Sequence, residues 1–229
     1  MSFNTIKVVL IGNSNVGKSS IINQFLGKKT EEQNLNFIGD KFNKKLKIKY
    51  NSNEENLILE IWDSAGKEEF KSVNNIYLNN VEILVFVYDS TNSKSFNDLK
   101  EIWLPLVKKK LDLDKIIKCV CANKSDLYEK KEVQIEEGEK FQNDIKAEIF
   151  VETSALDYES VEELFVKCGK FYLKNKNVNK NETYIEDKDN LENDNKNNNN
   201  KEINNINNNK KTDKDENNTI SCCEKCYIF

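Results

Sequence analysis

Gly12-Asn13-Ser14-Asn15-Val16-Gly17-Lys18-Ser19 stands between a β-branched run and a helical pattern. A tight loop of this composition points backbone N–H groups, and the positive end of the following helix, at phosphate oxygens. Gly12 and Gly17 let the backbone come close. Lys18 is placed to bridge β- and γ-phosphates. The Ser19 hydroxyl is placed to ligate Mg²⁺, with Ser20 next in the same first turn. The competing reading, a chance glycine-rich turn, needs the strand-loop-helix context to be accidental.

Asn123-Lys124-Ser125-Asp126 follows a second apolar run. An aspartate carboxylate can accept from both the N1–H and the exocyclic amine of guanine. Adenine offers no such pair, so the contact discriminates by leaving polar groups unpaired. Asn123 can tie the base edge to the loop, and Lys124 can lie over the ring. Alone, this four-residue match is weak in a chain so rich in Asn and Lys. After a phosphate loop and at a strand end, it is strong.

Two more segments complete the constellation. In Trp62-Asp63-Ser64-Ala65-Gly66, Asp63 is placed to hold Mg²⁺ through water and the Gly66 N–H to sense a γ-phosphate. In Glu152-Thr153-Ser154-Ala155, the Ala155 N–H can meet the guanine O6, with Ser154 beside it. An ordinary helix N-terminus explains the second segment equally well, because Ser and Thr favour caps.

The positioning elements are legible as alternating runs. Candidate strands are Lys7–Ile11, Lys45–Tyr50, Leu57–Trp62, Ile83–Tyr88, Ile116–Ala122 and Glu148–Val151. Several are near-continuous apolar runs, as expected of strands buried on both faces. Helical patterns lie near Lys18–Phe25, Ser95–Lys110, Glu132–Asp144 and Ser160–Lys174, and Pro105 is expected to kink or end part of the second. The alternation predicts an α/β fold with a mostly parallel sheet between helices. The link Asn51–Asn56 predicts a hairpin and one antiparallel edge strand.

Composition divides the 229 residues in two. Residues 1–175 read as one globular domain. Residues 176–229 are dominated by Asn, Lys, Asp and Glu, and predict a disordered tether with too few apolar groups to offset ordering entropy. A net charge of -4 argues against general nucleic-acid binding. No apolar run reaches membrane-spanning length. The first residues lack a signal-peptide layout, and Ser2 stands where myristoylation needs glycine. A cytosolic site is therefore expected, with the six cysteines reduced.

With these four segments in order, residues 5–175 resemble the Ras superfamily of small GTPases, and more narrowly a Rab protein. The Rab-like marks are Ile38-Gly39-Asp40-Lys41-Phe42, Leu59-Glu60-Ile61-Trp62-Asp63, Glu69-Phe70, Tyr77 and Phe86-Val87-Tyr88-Asp89-Ser90-Thr91. The resemblance implies a P-loop G domain with a six-stranded sheet and about five helices. It implies a GDP/GTP switch, with Mg²⁺, acting in vesicle traffic on the cytosolic face of an intracellular membrane, with a soluble cytosolic pool. It also implies exchange-factor, GTPase-activating, escort or dissociation-inhibitor and effector partners.

The departures from that pattern concern hydrolysis. Lys67 occupies the position of the family's water-orienting Gln, and lysine has no acceptor with which to align a water. Phe37 stands where a Thr hydroxyl joins the Mg²⁺ shell. Thr30 stands where an aromatic residue often packs on the guanine, and Asn15 replaces a common loop Gly. Lys67 and Phe37 predict weak GTP hydrolysis, and Thr30 predicts faster nucleotide loss. Alternatively, a partner supplies both an arginine and a water-positioning residue, or the replacements are tolerated drift. From another class, the chain is a non-catalytic GTP-binding interaction module. A P-loop kinase or ATPase is remoter, because Asp126 argues against it.

The last residues, Ser221-Cys222-Cys223-Glu224-Lys225-Cys226-Tyr227-Ile228-Phe229, fit a Cys-a-a-X prenylation signal at Cys226, with Cys222 and Cys223 as candidates for palmitoylation or dual prenylation. A membrane anchor through C-terminal lipid is expected. A zinc site is the rival, and no histidine exists to complete it. Cys119, Cys121 and Cys168, like Phe165, Phe171 and Tyr172, read as core.

Overall fold

The structure, a computed structural model, describes residues 4–27, 41–51, 53–63 and 75–177. Its centre is strand β1 (Asn4–Ile11), which alternates strictly in facing. Ile6, Val8 and Leu10 join one core layer, whereas Val9 and Ile11 join the other. Strands β2 (Lys41–Tyr50), β3 (Asn53–Asp63), β4 (Ile83–Asp89), β5 (Ile117–Asn123) and β6 (Ile149–Thr153) complete one sheet in the order β2-β3-β1-β4-β5-β6. Only β2 with β3 is antiparallel; every other pairing in the sheet is parallel. All seven residues of β4 and of β5 are buried, which is why those segments read as near-continuous apolar runs, broken in β5 by Lys118.

Helices cover both faces. On one lie α1 (Lys18–Leu26) and α6 (residues 158–177), joined by Phe25 stacked on Phe165 at 4.0 Å between ring centroids. Such a pair contributes about 0.5–1.5 kcal/mol beyond its buried area. On the other lie the short α2 (Asn75–Leu78), a helical run from Ser93 to Lys108, and α5 (Ile135–Asp144). Cys119, Cys121, Cys168 and Phe165 are fully buried, while Phe171 and Tyr172 pack partly buried against the same core. Among the described residues, no helix is long and apolar enough to cross a membrane.

Two expectations need correction and a third takes a specific form. The link Asn51–Asn56 is not a six-residue turn, because strand pairing continues to Tyr50 opposite Asn53. Polar side chains do not prevent backbone pairing on an edge hairpin, and Asn51 takes the left-handed conformation (φ 47) that closes the turn. Helix α5 starts at Ile135, not Glu132, because the Glu132 and Val133 N–H groups both donate to Ser90 O, at 2.9 and 3.1 Å. The run through Pro105 neither ends nor breaks at the proline. It has α-helical ends, α3 (Ser93–Asp98) and α4 (Leu104–Lys108), joined by a π-helical turn, Leu99–Trp103, in which the Leu104 N–H donates to Leu99 O. The wider turn comes just before the residue that cannot donate.

The order places β1 between β3 and β4, where the chain turns from one direction of travel across the sheet to the other. In an open parallel sheet, ligands bind beyond the carboxyl ends of strands at such a point. Gly12, Asp63, Asp89, Asn123 and Thr153 stand at the carboxyl ends of β1, β3, β4, β5 and β6.

Candidate nucleotide-binding site

The phosphate loop leaves β1 at Gly12 and enters α1 at Lys18. Two of its residues cannot carry a side chain. Gly12 has φ 144, and a Cβ there would lie 2.1 Å from Val87 O. Gly17 has φ 97, and a Cβ there would lie 2.2 Å from Asn123 Nδ2. Asn15 is left-handed as well (φ 63), a conformation Asn tolerates better than most residues. Ser14 and Asn15 are exposed at the tip, while Val16 is buried beneath them.

Lys18 is only 4 % exposed. Its ammonium donates to Gly12 O at 2.8 Å and to Asn13 O at 2.7 Å. Burial pulls its pKa down to about 8, against the opposing influence of the Asp63 carboxylate. Ser19 follows on the first turn of α1, and its hydroxyl donates to Asp63 Oδ2. Asp63, 2 % exposed, arrives from the end of β3. A hydroxyl and a carboxylate side by side are a hard oxygen donor set, which suits Mg²⁺. A buried ammonium on a glycine-lined loop suits phosphate.

Asn123 joins this loop to the rest of the site. It is 1 % exposed, its Nδ2 donates to Val16 O at 2.8 Å, and its Oδ1 accepts from Thr153 Oγ1 at 3.1 Å. The next residue, Lys124, is left-handed (φ 64), and its ammonium pairs with Asp89 Oδ2 at 2.6 Å. Burial pushes the Asp89 carboxyl up, but hydrogen bonds from Lys124 and Thr91 outweigh it and hold the group below its ordinary range. Asp126 accepts from Ser154 Oγ at 2.6 Å. The Ser154 N–H donates to Ser160 Oγ at 3.1 Å, and Ala155 follows in the turn before α6.

The structure thus gathers Gly12, Asn13, Val16, Gly17, Lys18, Ser19 and Asp63 with Asn123, Lys124, Asp126, Ser154 and Ala155 at one end of the sheet. Ser20 lies half-buried beyond Ser19 on α1. Gly66, Lys67, Phe37, Thr30, Cys222, Cys223 and Cys226 lie outside the described residues.

Sequence reasoning missed Thr153 and the pairing role of Asp89. In the sequence Thr153 figures only as a member of the Glu152–Ala155 segment, although its place at a strand end is a usable signal. It also missed the partners of Asn13, whose Nδ2 donates to Asp98 Oδ2 at 2.6 Å and whose Oδ1 accepts from Trp103 Nε1 at 2.8 Å.

The model of the Ras family matches residues 7–174. The chain belongs to the Ras family. Within it the chain is a Rab-like small GTPase, similar to Ras-related protein Rab-4A of Homo sapiens, 36 % identical over 164 residues covering 72 % of each chain. It is likewise similar to Ras-related protein Rab-4 of Dictyostelium discoideum, 37 % identical over 163 residues covering 71 % of this chain and 77 % of the relative. Ras-related protein Rab-4B of Homo sapiens matches at 34 % over 167 residues, covering 73 % and 76 % respectively. Members of this family are GTPases that bind GTP and GDP with Mg²⁺, and the loop, the Ser19–Asp63 pair and the Asn123–Asp126 segment of this Rab-like chain fit those groups.

Proposed function

We propose that the chain is a guanine-nucleotide switch in intracellular vesicle traffic that binds GTP and GDP with Mg²⁺ and hydrolyses GTP slowly. The carrying observation is the Asn123 joint. One buried amide fixes the end of β5 to Val16 of the phosphate loop, so a base reader and a phosphate cradle are held in register. Lys18 and the loop N–H groups from Gly12 to Ser20 hold phosphate. Ser19 and Asp63 hold Mg²⁺, which when bound neutralises charge on the phosphates. Asp126, oriented by Ser154, selects guanine, with Asn123, Lys124 and Ala155 around the base. Gly66 senses the γ-phosphate.

Slow hydrolysis rests on Lys67 and Phe37, neither of which supplies the group the reaction needs at its position. Lipid on Cys226, with Cys222 and Cys223 as further sites, anchors the protein to the cytosolic face of an intracellular membrane. Exchange factor, GTPase-activating protein, escort protein and effectors are the partners this cycle requires. The same two replacements favour a second reading, a fixed GTP-binding interaction module. Effector affinity distinguishes them: equal affinity for the GDP and GTP forms supports the module.

The test is competition for bound labelled GDP by GTP, GDP and ATP in Mg²⁺ buffer, with the full chain. GTP and GDP displacing the label at least a hundredfold better than ATP supports the reading. Equal displacement by ATP contradicts it.

A further inference from the structure

Asp98 and Trp103 are five residues apart, yet both reach the side chain of Asn13. In a regular α-helix, residues five apart project about 140° from each other around the axis. They could not grip one small amide. The π-helical turn Leu99–Trp103 narrows that offset, because i→i+5 bonding winds the backbone more loosely than an α-helix does. Asp98 closes the preceding helix and Trp103 closes the turn itself. Each offers the complement of what Asn13 presents: a carboxylate to the Nδ2 at 2.6 Å, an indole N–H to the Oδ1 at 2.8 Å. The grip is therefore specific for an amide in one orientation.

Asn13 is not an isolated surface residue. Its own backbone carbonyl is one of the two that hold the Lys18 ammonium, at 2.7 Å. A path of three hydrogen-bonded groups thus runs from the π-turn through Asn13 to the phosphate-loop lysine. Trp103 is buried and Asp98 and Asn13 are half-buried, so water competes weakly for these bonds.

We propose that the Asp98–Asn13–Trp103 clamp is a positioning device for the phosphate loop, and that the π-turn exists to form it. The clamp fixes the Asn13 peptide, which fixes Lys18, so a bound nucleoside diphosphate or triphosphate meets a preorganised cradle and leaves it slowly. This rests on the guanine-nucleotide reading above. Asn13 is a positioning residue through its side chain, and Asp98 and Trp103 act only through Asn13.

The test is the dissociation rate of labelled GDP from full-length protein, measured beside the thermal midpoint. Asn13→Ala and Trp103→Phe, which keeps the ring but loses the donor, are expected to speed dissociation about three- to tenfold. Val107→Ala, a buried change on the same helical run that removes none of the hydrogen bonds to Asn13, lowers the midpoint without that acceleration. The decisive pair exchanges donor and acceptor. Asn13→Asp sets two carboxylates against each other and speeds dissociation. Adding Asp98→Asn restores an amide to donate to the new carboxylate and returns the rate to within about twofold of wild type. Rates that merely follow the midpoint in every variant, or an Asn13→Asp defect that Asp98→Asn leaves uncorrected, overturn the proposal. Failure of the wild-type protein to hold GDP refutes the nucleotide reading instead, and is seen before any variant is made.

Discussion

Asn123 Nδ2 lies where a side chain on Gly17 would have to go: a Cβ there would come within 2.2 Å of it. The segment that begins at Asn123 and the Gly12–Ser19 loop are therefore packed against each other at a residue that must be glycine. The same Nδ2 donates to Val16 O, so the two segments are bonded as well as fitted.

Replacing Gly17 by Ala displaces Asn123 and forces a positive φ on a residue with a Cβ, at a cost of about 1–3 kcal/mol. Asn123→Ala leaves the buried Val16 carbonyl and the Thr153 hydroxyl short of a partner, a loss of similar size. Both variants are expected to lower the thermal midpoint of the nucleotide-free protein and to weaken GDP binding. Because both act on one joint, the double variant costs less than the sum of the two. Full additivity in a double-mutant cycle contradicts the coupling.

Lys18 supplies a pH signature. Its folded pKa, about 8, lies below the ordinary 10.5, so burying its charge destabilises the nucleotide-free fold at neutral pH. Between pH 8 and 10.5 the unfolded chain binds the extra proton, so this contribution to stability rises with pH there; below pH 8 the penalty is fully present. Lys18→Met removes it, and is expected to stabilise the nucleotide-free protein at pH 7 by up to about 3 kcal/mol while abolishing tight GTP binding. Phosphate beside Lys18 restores the charge. Calorimetry of wild type in buffers of differing ionisation enthalpy then registers close to one proton taken up per GTP bound at pH 9, and far less at pH 7.

Ser154 orients Asp126 through a single bond of 2.6 Å. Ser154→Ala frees the carboxylate, and is expected to weaken GDP binding about three- to tenfold. Asp126→Ala removes the acceptor and costs at least a hundredfold. Neither variant raises affinity for ATP. An unchanged GDP affinity in Ser154→Ala, measured by displacement, contradicts this role.

The lipid anchor is tested in cells. Full-length protein is expected to distribute between membrane and soluble fractions, and Cys226→Ser to be wholly soluble. Retention of Cys226→Ser on membranes assigns anchoring elsewhere.

Much of this was legible because it is local. A phosphate loop needs glycines at fixed spacing, and central parallel strands need apolar residues on both faces, so β4 and β5 stand out as near-continuous apolar runs. The hairpin was legible only as a hairpin. Its true turn was hidden because Asn53–Asn56 pair through backbone that any side chain permits. The π-turn was hidden for a different reason. Pro105 signals that helical bonding must change, but whether the chain kinks, stops or widens depends on what the neighbouring side chains reach. Here they reach Asn13, in a chain where asparagine is so common that no single one stands out. Thr153 and Asp89 were likewise invisible in these roles, since their partners Asn123 and Lys124 come from the far-off carboxyl end of β5 and the residue after it.

A GTP-binding switch with Lys67 and Phe37 at these positions is expected to hydrolyse GTP slowly. Full-length protein loaded with GTP and Mg²⁺ and followed through a single turnover, with bound nucleotide separated by chromatography, tests it most directly. GTP is expected to be still bound after hours, with conversion at least tenfold faster when Lys67→Gln and Phe37→Thr are introduced together. Conversion of wild-type GTP to GDP within minutes contradicts it, and means that another group positions the attacking water.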